Sequence, residues 1–282
     1  MRLPILDDHV HLQPQGRNVE AVKEFERAGG THLILSHLPY DEVTISSEAD
    51  WERSYEITLR LAEKCRDETS VAVDVTLGPY PVLLLDLEKR FGLARGIEIM
   101  KAGMESAQRA VLERKAVAIG EVGRPHFPVP GEIMTASNEI LLHGMRLAKE
   151  AGCAIVLHTE SATPENMREF ALMADSVGLD RGKVVKHYSP PLVLPEENHG
   201  LCPSVLASRP NVNEALRKGT RFMMETDFLD DLARPGAVMA ITTVPKRTKG
   251  LLESKAMSEE QARIIHQENP KKVYGIKTRE PS

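Results

Sequence analysis

Two histidines stand one residue apart in "LPILDDHVHLQP", residues 3–14, straight after a run of apolar residues. Side chains alternate faces along a strand, so His9 and His11 share one face while Val10 takes the other. Two imidazoles side by side are either a hydrogen-bonded pair at a strand end or part of a metal site. The same signature, a polar residue closing an apolar run, recurs downstream. Glu121 closes "AVAIGEV", His158 "CAIVLHT", His187 "KVVKHYS" and Asp227 "RFMMETDF". Singly, each histidine reads as a satisfied core residue and each carboxylate as the cap of the next helix. Gathered in one dry cavity, six uncompensated polar groups are costly, whereas divalent cations neutralise the carboxylates and use the imidazoles.

Imidazole and carboxylate donors without thiolate suit Zn²⁺ first, with Mn²⁺, Mg²⁺, Co²⁺ or Fe²⁺ as alternatives. Six donors exceed what one catalytic zinc takes, and a bridging carboxylate such as Glu121 would hold two ions. Two-metal sites run hydrolysis, and Asp227 is placed to take a proton from water and pass it to a leaving group.

Such a site needs elements that deliver these residues to one place. Nearly continuous apolar runs, as expected of parallel strands covered on both faces, lie at 3–9, 31–37, 70–77, 116–122, 153–159, 183–189, 200–207 and 221–228. Helical segments are expected at 18–30, at 138–153 with Thr135 or Ser137 as N-cap, at 163–178 with Thr163 as N-cap and Pro164 behind it, and at 258–269 after an S-x-x-Q capping box. Eight strands alternating with helices predict a single-domain (β/α)8 TIM barrel over residues 1–282, rather than a doubly wound open sheet. Segments 37–50 and 78–96 are expected as loops over its mouth. Active sites of such barrels lie at the C-terminal ends of the strands, where these six residues fall.

With 36 Lys+Arg against 41 Asp+Glu, the net charge of −5 gives no support to nucleic acid as a partner, although a local basic patch such as "PKRTKG" (245–250) keeps it open. That stretch reads better as a solvated helix start. The three cysteines are scattered, with no CxxC pair, which fits a reduced, cytoplasmic protein; Cys153 and Cys202 read as core residues. No signal-peptide core and no run of about 18 apolar residues appears, so neither secretion nor a membrane span is expected. No P-loop or G-x-G-x-x-G supports a nucleotide cofactor.

In order and spacing, "DDHVHL" (7–12), "GEVG" (120–123), "LHTESA" (157–162), "KHYS" (186–189), "METD" (224–227) and "NPKKVYGI" (269–276) resemble the TatD-related metal-dependent hydrolases of the amidohydrolase superfamily. The resemblance implies His9, His11, Glu121, His158, His187 and Asp227 as metal ligands, with a phosphodiester or related ester as substrate and deoxyribonuclease activity included. Glu121 in place of a carboxylated lysine sets the chain apart from the phosphotriesterase-like branch. Three departures bear on substrate: "RPHF" brings Arg124 and His126 after "GEVG", Glu160 replaces the family's strand-5 arginine, and "GPYP" (78–81) replaces a His-Pro-His. Arg124, His126 and Glu160 are therefore candidate substrate contacts, Arg124 being either an anion contact or a surface ion pair. The alternatives to a nuclease are a small-molecule lactonase, amidase or phosphoesterase, and a metal-binding scaffold without turnover. His37 is expected to be structural.

Overall fold

The computed structural model describes residues 3–278. Strand, then helix, repeats along the chain: β1 (Leu6–His11), α1 (Val19–Ala28), β2 (His32–Ser36), α2 (Glu48–Glu68), β3 (Ala72–Leu77), α3 (Leu83–Phe91), α4 (Leu93–Leu112), β4 (Ala118–Gly123), α5 (Gly131–Ala151), β5 (Ala154–His158) and α6 (Pro164–Val177). The second half continues with β6 (Val184–Ser189), α7 (Pro195–Asn198), β7 (Cys202–Leu206), α8 (Arg209–Lys218), β8 (Met223–Glu225), β9 (Phe228–Leu229), α9 (Thr243–Glu253), α10 (Glu259–Arg263) and α11 (Asn269–Tyr274). All strand pairs are parallel, in the order β8-β7-β6-β5-β4-β3-β2-β1-β9. This is the expected TIM-barrel-like α/β fold.

The last predicted strand, 221–228, is broken in two. β8 pairs with β7 and β9 with β1, and only Thr226 and Asp227 separate them. Asp227 has φ of 48°, a left-handed conformation that ends one ladder before the next begins. Asp7 ties this break to β1: its carboxylate accepts from Thr226 N at 3.0 Å and Thr226 Oγ1 at 2.8 Å.

Three helix expectations need correction. Segment 78–96 is not simply a loop: Leu84 and Leu87 lie one helical turn apart and are buried, so α3 forms there and stops at Gly92. α5 starts seven residues before 138, because Ile133, Ala136, Ile140 and Leu141 already form a buried helical stripe. Thr135 is consequently inside the helix, donating its hydroxyl to Gly131 O at 2.9 Å, and Ser137 is buried; neither caps it. The segment 258–269 opens on the Ser258–Gln261 capping box as expected, but passes through a π-helical turn at Ile264–Glu268 into α11. "PKRTKG" lies in α9, with Pro245 and Thr248 buried and Lys246 and Lys249 outward.

The period of two decides what faces the barrel axis. Leu33, Leu35, Val73, Val75, Ile119, Ile155, Leu157 and Val184 pack outward against helices. Leu6, Ile34, Ala118, Ala154, Val156, Val185, Cys202 and Met223 form a separate inner cluster, closed by Val273, Tyr274 and Ile276 from the C-terminal segment. Two residues further along these strands come Asp8, Ser36, Gly120, His158, His187, Ser204 and Glu225. An apolar floor thus gives way to a polar upper layer. Among the described residues, no helix is long and apolar enough to cross a membrane.

His266, in the π-helical turn, is wholly buried beneath this floor. Its Nδ1 lies 3.1 Å from Leu6 O and its Nε2 2.9 Å from Thr248 Oγ1. Burial pushes its pKa down from 6.5 to about 4. A histidine held neutral in the fold but free to charge when unfolded contributes stability above pH 6.5 that is lost as pH falls towards about 4. Linkage sets the full loss at about 3 kcal/mol. Urea midpoints should therefore drop between pH 7 and pH 4.5, and His266→Gln should flatten that slope; an unchanged slope in the variant would place the acid lability elsewhere.

Candidate functional site

Strand irregularities lie where the chemistry-bearing residues sit. The β1–β2 register shifts between Asp7 and Val10, β4–β5 between Gly120 and Val122, and β6–β7 between Lys186 and Ser189. Each interval contains one of His9, Glu121 and His187, and an extra residue in a ladder re-aims the side chain it carries. Gly123 ends β4 at a φ of 142°; a Cβ there would stand 2.3 Å from His158 O. That approach lets Arg124 N donate to His158 O at 2.9 Å, fixing the end of β4 against that of β5.

The structure brings all six expected residues together. Glu121, only 2% exposed, lies at the centre. Its Oε1 is 2.7 Å from His9 Nε2, 3.1 Å from His187 Nε2 and 3.7 Å from His11 Nε2; its Oε2 is 3.6 Å from His158 Nδ1. His11 Nε2 is also 3.4 Å from Asp227 Oδ1. Two groups able to hold a metal ion share the Glu121 carboxylate: His9, His11, Glu121 and Asp227 form one, and Glu121, His158 and His187 the other.

The donor set fits metal ions. His11 Nδ1 is 3.0 Å from the Ser36 carbonyl, which only accepts, so Nδ1 carries the proton and Nε2 presents a lone pair to the cluster. His9 Nδ1 is engaged by Ser36 Oγ at 3.1 Å, leaving its Nε2 turned inward, 3.2 Å from His11 Nε2. Such a convergence of acceptors calls for positive charge. Burial opposes a proton on His11, yet the Asp227 and Glu121 carboxylates outweigh it and raise its pKa to about 10. For Glu121, burial pushes the carboxyl up, but the surrounding imidazoles of His187, His158 and His9 hold it well below the usual range. A divalent cation would take the place of those protons.

Supporting contacts that the sequence reading left out complete the site. Ser36 holds both β1 histidines and receives support in turn from Thr76 Oγ1 at 2.9 Å. It closes the apolar run "LILS", the same pattern that marks the six. Glu225 Oε1 accepts from Tyr188 N at 2.7 Å and stands 3.4 Å from His187 Nδ1. Glu225 shares Asp227's strand end, two residues earlier. Tyr80, from "GPYP", packs its ring 5.0 Å from that of His158. His37 is structural as expected, bonded to Thr58 Oγ1 at 2.8 Å and packed edge-on to Tyr40 and Tyr55.

The candidate substrate residues divide. His126 Nδ1 is 2.9 Å from His158 Nε2, on the solvent side of the cluster. Arg124 is neither a surface ion pair nor an open anion contact. It is buried, with its guanidinium 4.8 Å above the Phe170 ring, and its donors go to Asn138 Oδ1, Glu160 Oε1, both oxygens of Glu169 and Met173 Sδ. Glu160 Oε2 has no partner among the described residues.

Fold and cluster together are those of a hydrolase of the TatD family. The family model for TatD related DNase matches residues 6–275, and the chain belongs to that family. An uncharacterized protein of Methanocaldococcus jannaschii is 40% identical over 277 residues, covering 97% of this chain and 96% of that protein. Among solved structures, a TatD homolog from Escherichia coli superposes with a TM-score of 0.66 at 19% identity, covering 96% of this chain and 98% of that one. A TatD-like protein from Archaeoglobus fulgidus gives 0.60 at 17%, covering 96% and 100%. The Escherichia coli phosphotriesterase homology protein, with phosphate in its active site, gives 0.61 at 13%, covering 97% and 98%. At these identities the structural likenesses establish the fold.

Glu121→Ala should lower divalent-metal affinity by about a hundredfold or more, whereas Glu160→Ala should leave it within a few-fold, because only Glu121 faces both groups. Ser36→Ala should fall between them, at about tenfold, the scale for removing a group that orients a liganding histidine. Metal titration followed by elemental analysis reads all three; equal losses for Glu121 and Glu160 would make Glu160 a ligand.

Proposed function

We propose that this protein is a two-ion hydrolase of phosphoester or related ester bonds. The observation that carries the reading is the Glu121 carboxylate, which turns one oxygen to His9, His11 and His187 and the other to His158. One ion would be held by His9, His11, Glu121 and Asp227, the other by Glu121, His158 and His187, zinc being the first choice for such donors. Divalent cations bound there would supply Lewis acidity toward water and toward the oxygens of the attacked group.

The remaining work falls to the chain itself. Asp227 stands at the mouth with its carboxylate beside His11; burial pushes its pKa up, but His11 and His187 hold it below the ordinary value, so it remains ionised and able to accept a proton. It takes the proton of the attacking water and returns it to the leaving group. Ser36 fixes the His11 tautomer through its carbonyl and holds the His9 ring through its hydroxyl, and Glu225 orients His187 from behind. Tyr80 and His126 flank His158 on the substrate side.

Arg124 and Glu160 favour a small substrate over a nucleic acid. The family's strand-5 arginine is Glu160 here, and the nearby guanidinium of Arg124 is already bound to Glu160 and Glu169. A polyanionic backbone would meet carboxylate where the family offers positive charge. The panel that tests this uses a phosphodiester, a phosphomonoester, p-nitrophenyl esters, lactones and single-stranded DNA, each with Zn²⁺, Mn²⁺ or Mg²⁺. Turnover of a small ester with inert DNA supports the reading; DNA cleavage as the sole activity would reverse its substrate half, and no turnover with both ions bound would leave a scaffold.

On whichever substrate is turned over, Asp227→Asn should keep the fold and most of the metal but lose about a hundredfold or more in kcat. Asn retains a liganding oxygen and cannot accept the proton, so higher pH should restore part of the rate by supplying hydroxide. Wild-type turnover in the variant with its metal in place would remove Asp227 from proton transfer.

A further inference from the structure

The basic stretch "PKRTKG" supplies none of the metal-binding groups, yet one of its residues reaches the rim of the barrel. Arg247 lies in the first half of α9, between Pro245 and Thr248, which are turned into the core. Its Nε donates to Ala207 O at 3.3 Å, so the half-buried side chain stands over the end of β7. Arg209 comes two residues after Ala207, in the first turn of α8, and is exposed. Ala207 N in turn donates to Glu225 O at 2.8 Å, and Asp227 follows two residues beyond. Neighbouring strands lie about 5 Å apart, so both arginines flank the metal-binding groups on the β7–β8 side of the mouth.

Neither arginine is neutralised. Among the described residues, no carboxylate pairs with Arg209 or Arg247. Arg17, Arg124 and Arg234, in other loops of the same rim, pair with Glu24, with Glu160 and Glu169, and with Asp231. Nor does the backbone use up their donors, since Arg247 spends only Nε and Arg209 spends none. Burial, and after it the positive charge of Arg209, press the Arg247 guanidinium below its usual pKa, and no carboxylate opposes them. α8 and α9 both begin at this rim, and their N-terminal dipoles add to the positive potential.

Like charges left together cost free energy that a bound anion recovers. The free N–H groups of a guanidinium match the paired oxygens of a carboxylate or phosphate. Glu160 and Glu169, gathered on Arg124, carry the opposite sign on the β4–β5 side. A substrate with one charged end is therefore oriented, its anion toward β7.

We propose that Arg209 and Arg247 form a subsite for a second anionic group of the substrate. That group is a carboxylate or phosphate a few bonds away from the ester at the metal-binding groups. This rests on the small-ester hydrolase proposed above and names what that ester carries.

The test uses the full chain loaded with zinc and reads binding, not turnover. Calorimetry compares glutarate and phosphonopropionate, which have two anionic groups, with butyrate, which has one. Both should bind about tenfold or more tighter than butyrate, the scale of one charge-assisted contact. The tighter of the two shows whether the subsite takes carboxylate or phosphate. Arg209→Gln and Arg247→Gln should each weaken both ligands several-fold, and together abolish the preference while butyrate affinity and zinc content stay unchanged. Lys246→Gln, outward on the same helix, should change neither. Arg209 is exposed, so Arg209→Gln decides the matter should Arg247→Gln not fold. Equal affinity for the three ligands, or a preference that survives both substitutions, would overturn the inference and leave the two-ion reading standing. An oligothymidylate held more tightly than either ligand, and released by the same substitutions, would overturn its small-molecule half. Zinc binding without turnover of any ester would remove the hydrolase reading, while the ligand preference would still establish the arginine subsite.

Discussion

A carboxylate surrounded by imidazoles in a nearly dry pocket is the constraint on which the rest of the molecule depends. Glu121 alone would be intolerable at 2% exposure, and the surrounding histidines alone would be a cluster of mutually repelling bases. Each offsets the cost of the other only while the geometry is held. The barrel supplies that through strands whose outward residues lock into helices and whose ends are irregular where aim matters. Ser36 then fixes two rings at once, using its hydroxyl for His9 and its carbonyl for His11. The irregular strand ends and the regular strand bodies serve one purpose, to present fixed lone pairs and one shared carboxylate to the same few cubic ångströms.

The six central residues were legible in the sequence because a parallel barrel converts a one-dimensional signal into a position. A polar residue that closes an apolar run is at the C-terminal rim, and several such residues must meet there. The same logic placed the strands within a few residues, because burial on both faces leaves long apolar runs. It failed where local composition and tertiary role part company. Leu83–Phe91 is too short and too near a Pro-rich turn to announce a helix, and it forms because Leu84 and Leu87 find a buried surface. Thr135 has the chemistry of a cap, yet the apolar stripe beginning at Ile133 overrides it. Glu225 was hidden by lying inside the motif that identified Asp227, since a residue two positions inward reads as strand rather than as site.

Arg124 illustrates a further limit. From sequence, an arginine just past a strand end has two ordinary meanings, a ligand for anions or a surface ion pair. It has neither, because Glu160 comes from the loop after β5 and Glu169 from α6, and their meeting with Asn138 of α5 is a tertiary fact. A guanidinium with its donors taken and a Phe170 ring beneath it is part of the wall. The wall thus carries acid toward the mouth, with the Glu160 and Glu169 carboxylates gathered on one guanidinium.

The seam between β8 and β9 joins fold and site most closely. A regular eighth strand would carry Thr226 and Asp227 along the β ladder. Instead the chain breaks, and Asp7 grips Thr226 through backbone and hydroxyl while β9 resumes pairing with β1. Beyond it Asp230 accepts from Arg17 N at 2.9 Å and Asn18 N at 2.7 Å, so the loop after β1 is pinned to the far side of the same break. Asp227 is thereby held between two anchored segments, in a left-handed conformation that a relaxed strand would not give it. The closure of the barrel and the placement of the Asp227 carboxylate are thus one structural event. An aspartate on a continuous strand would lie in register with its neighbours, whereas this one stands out of the ladder, beside His11 and open to the mouth.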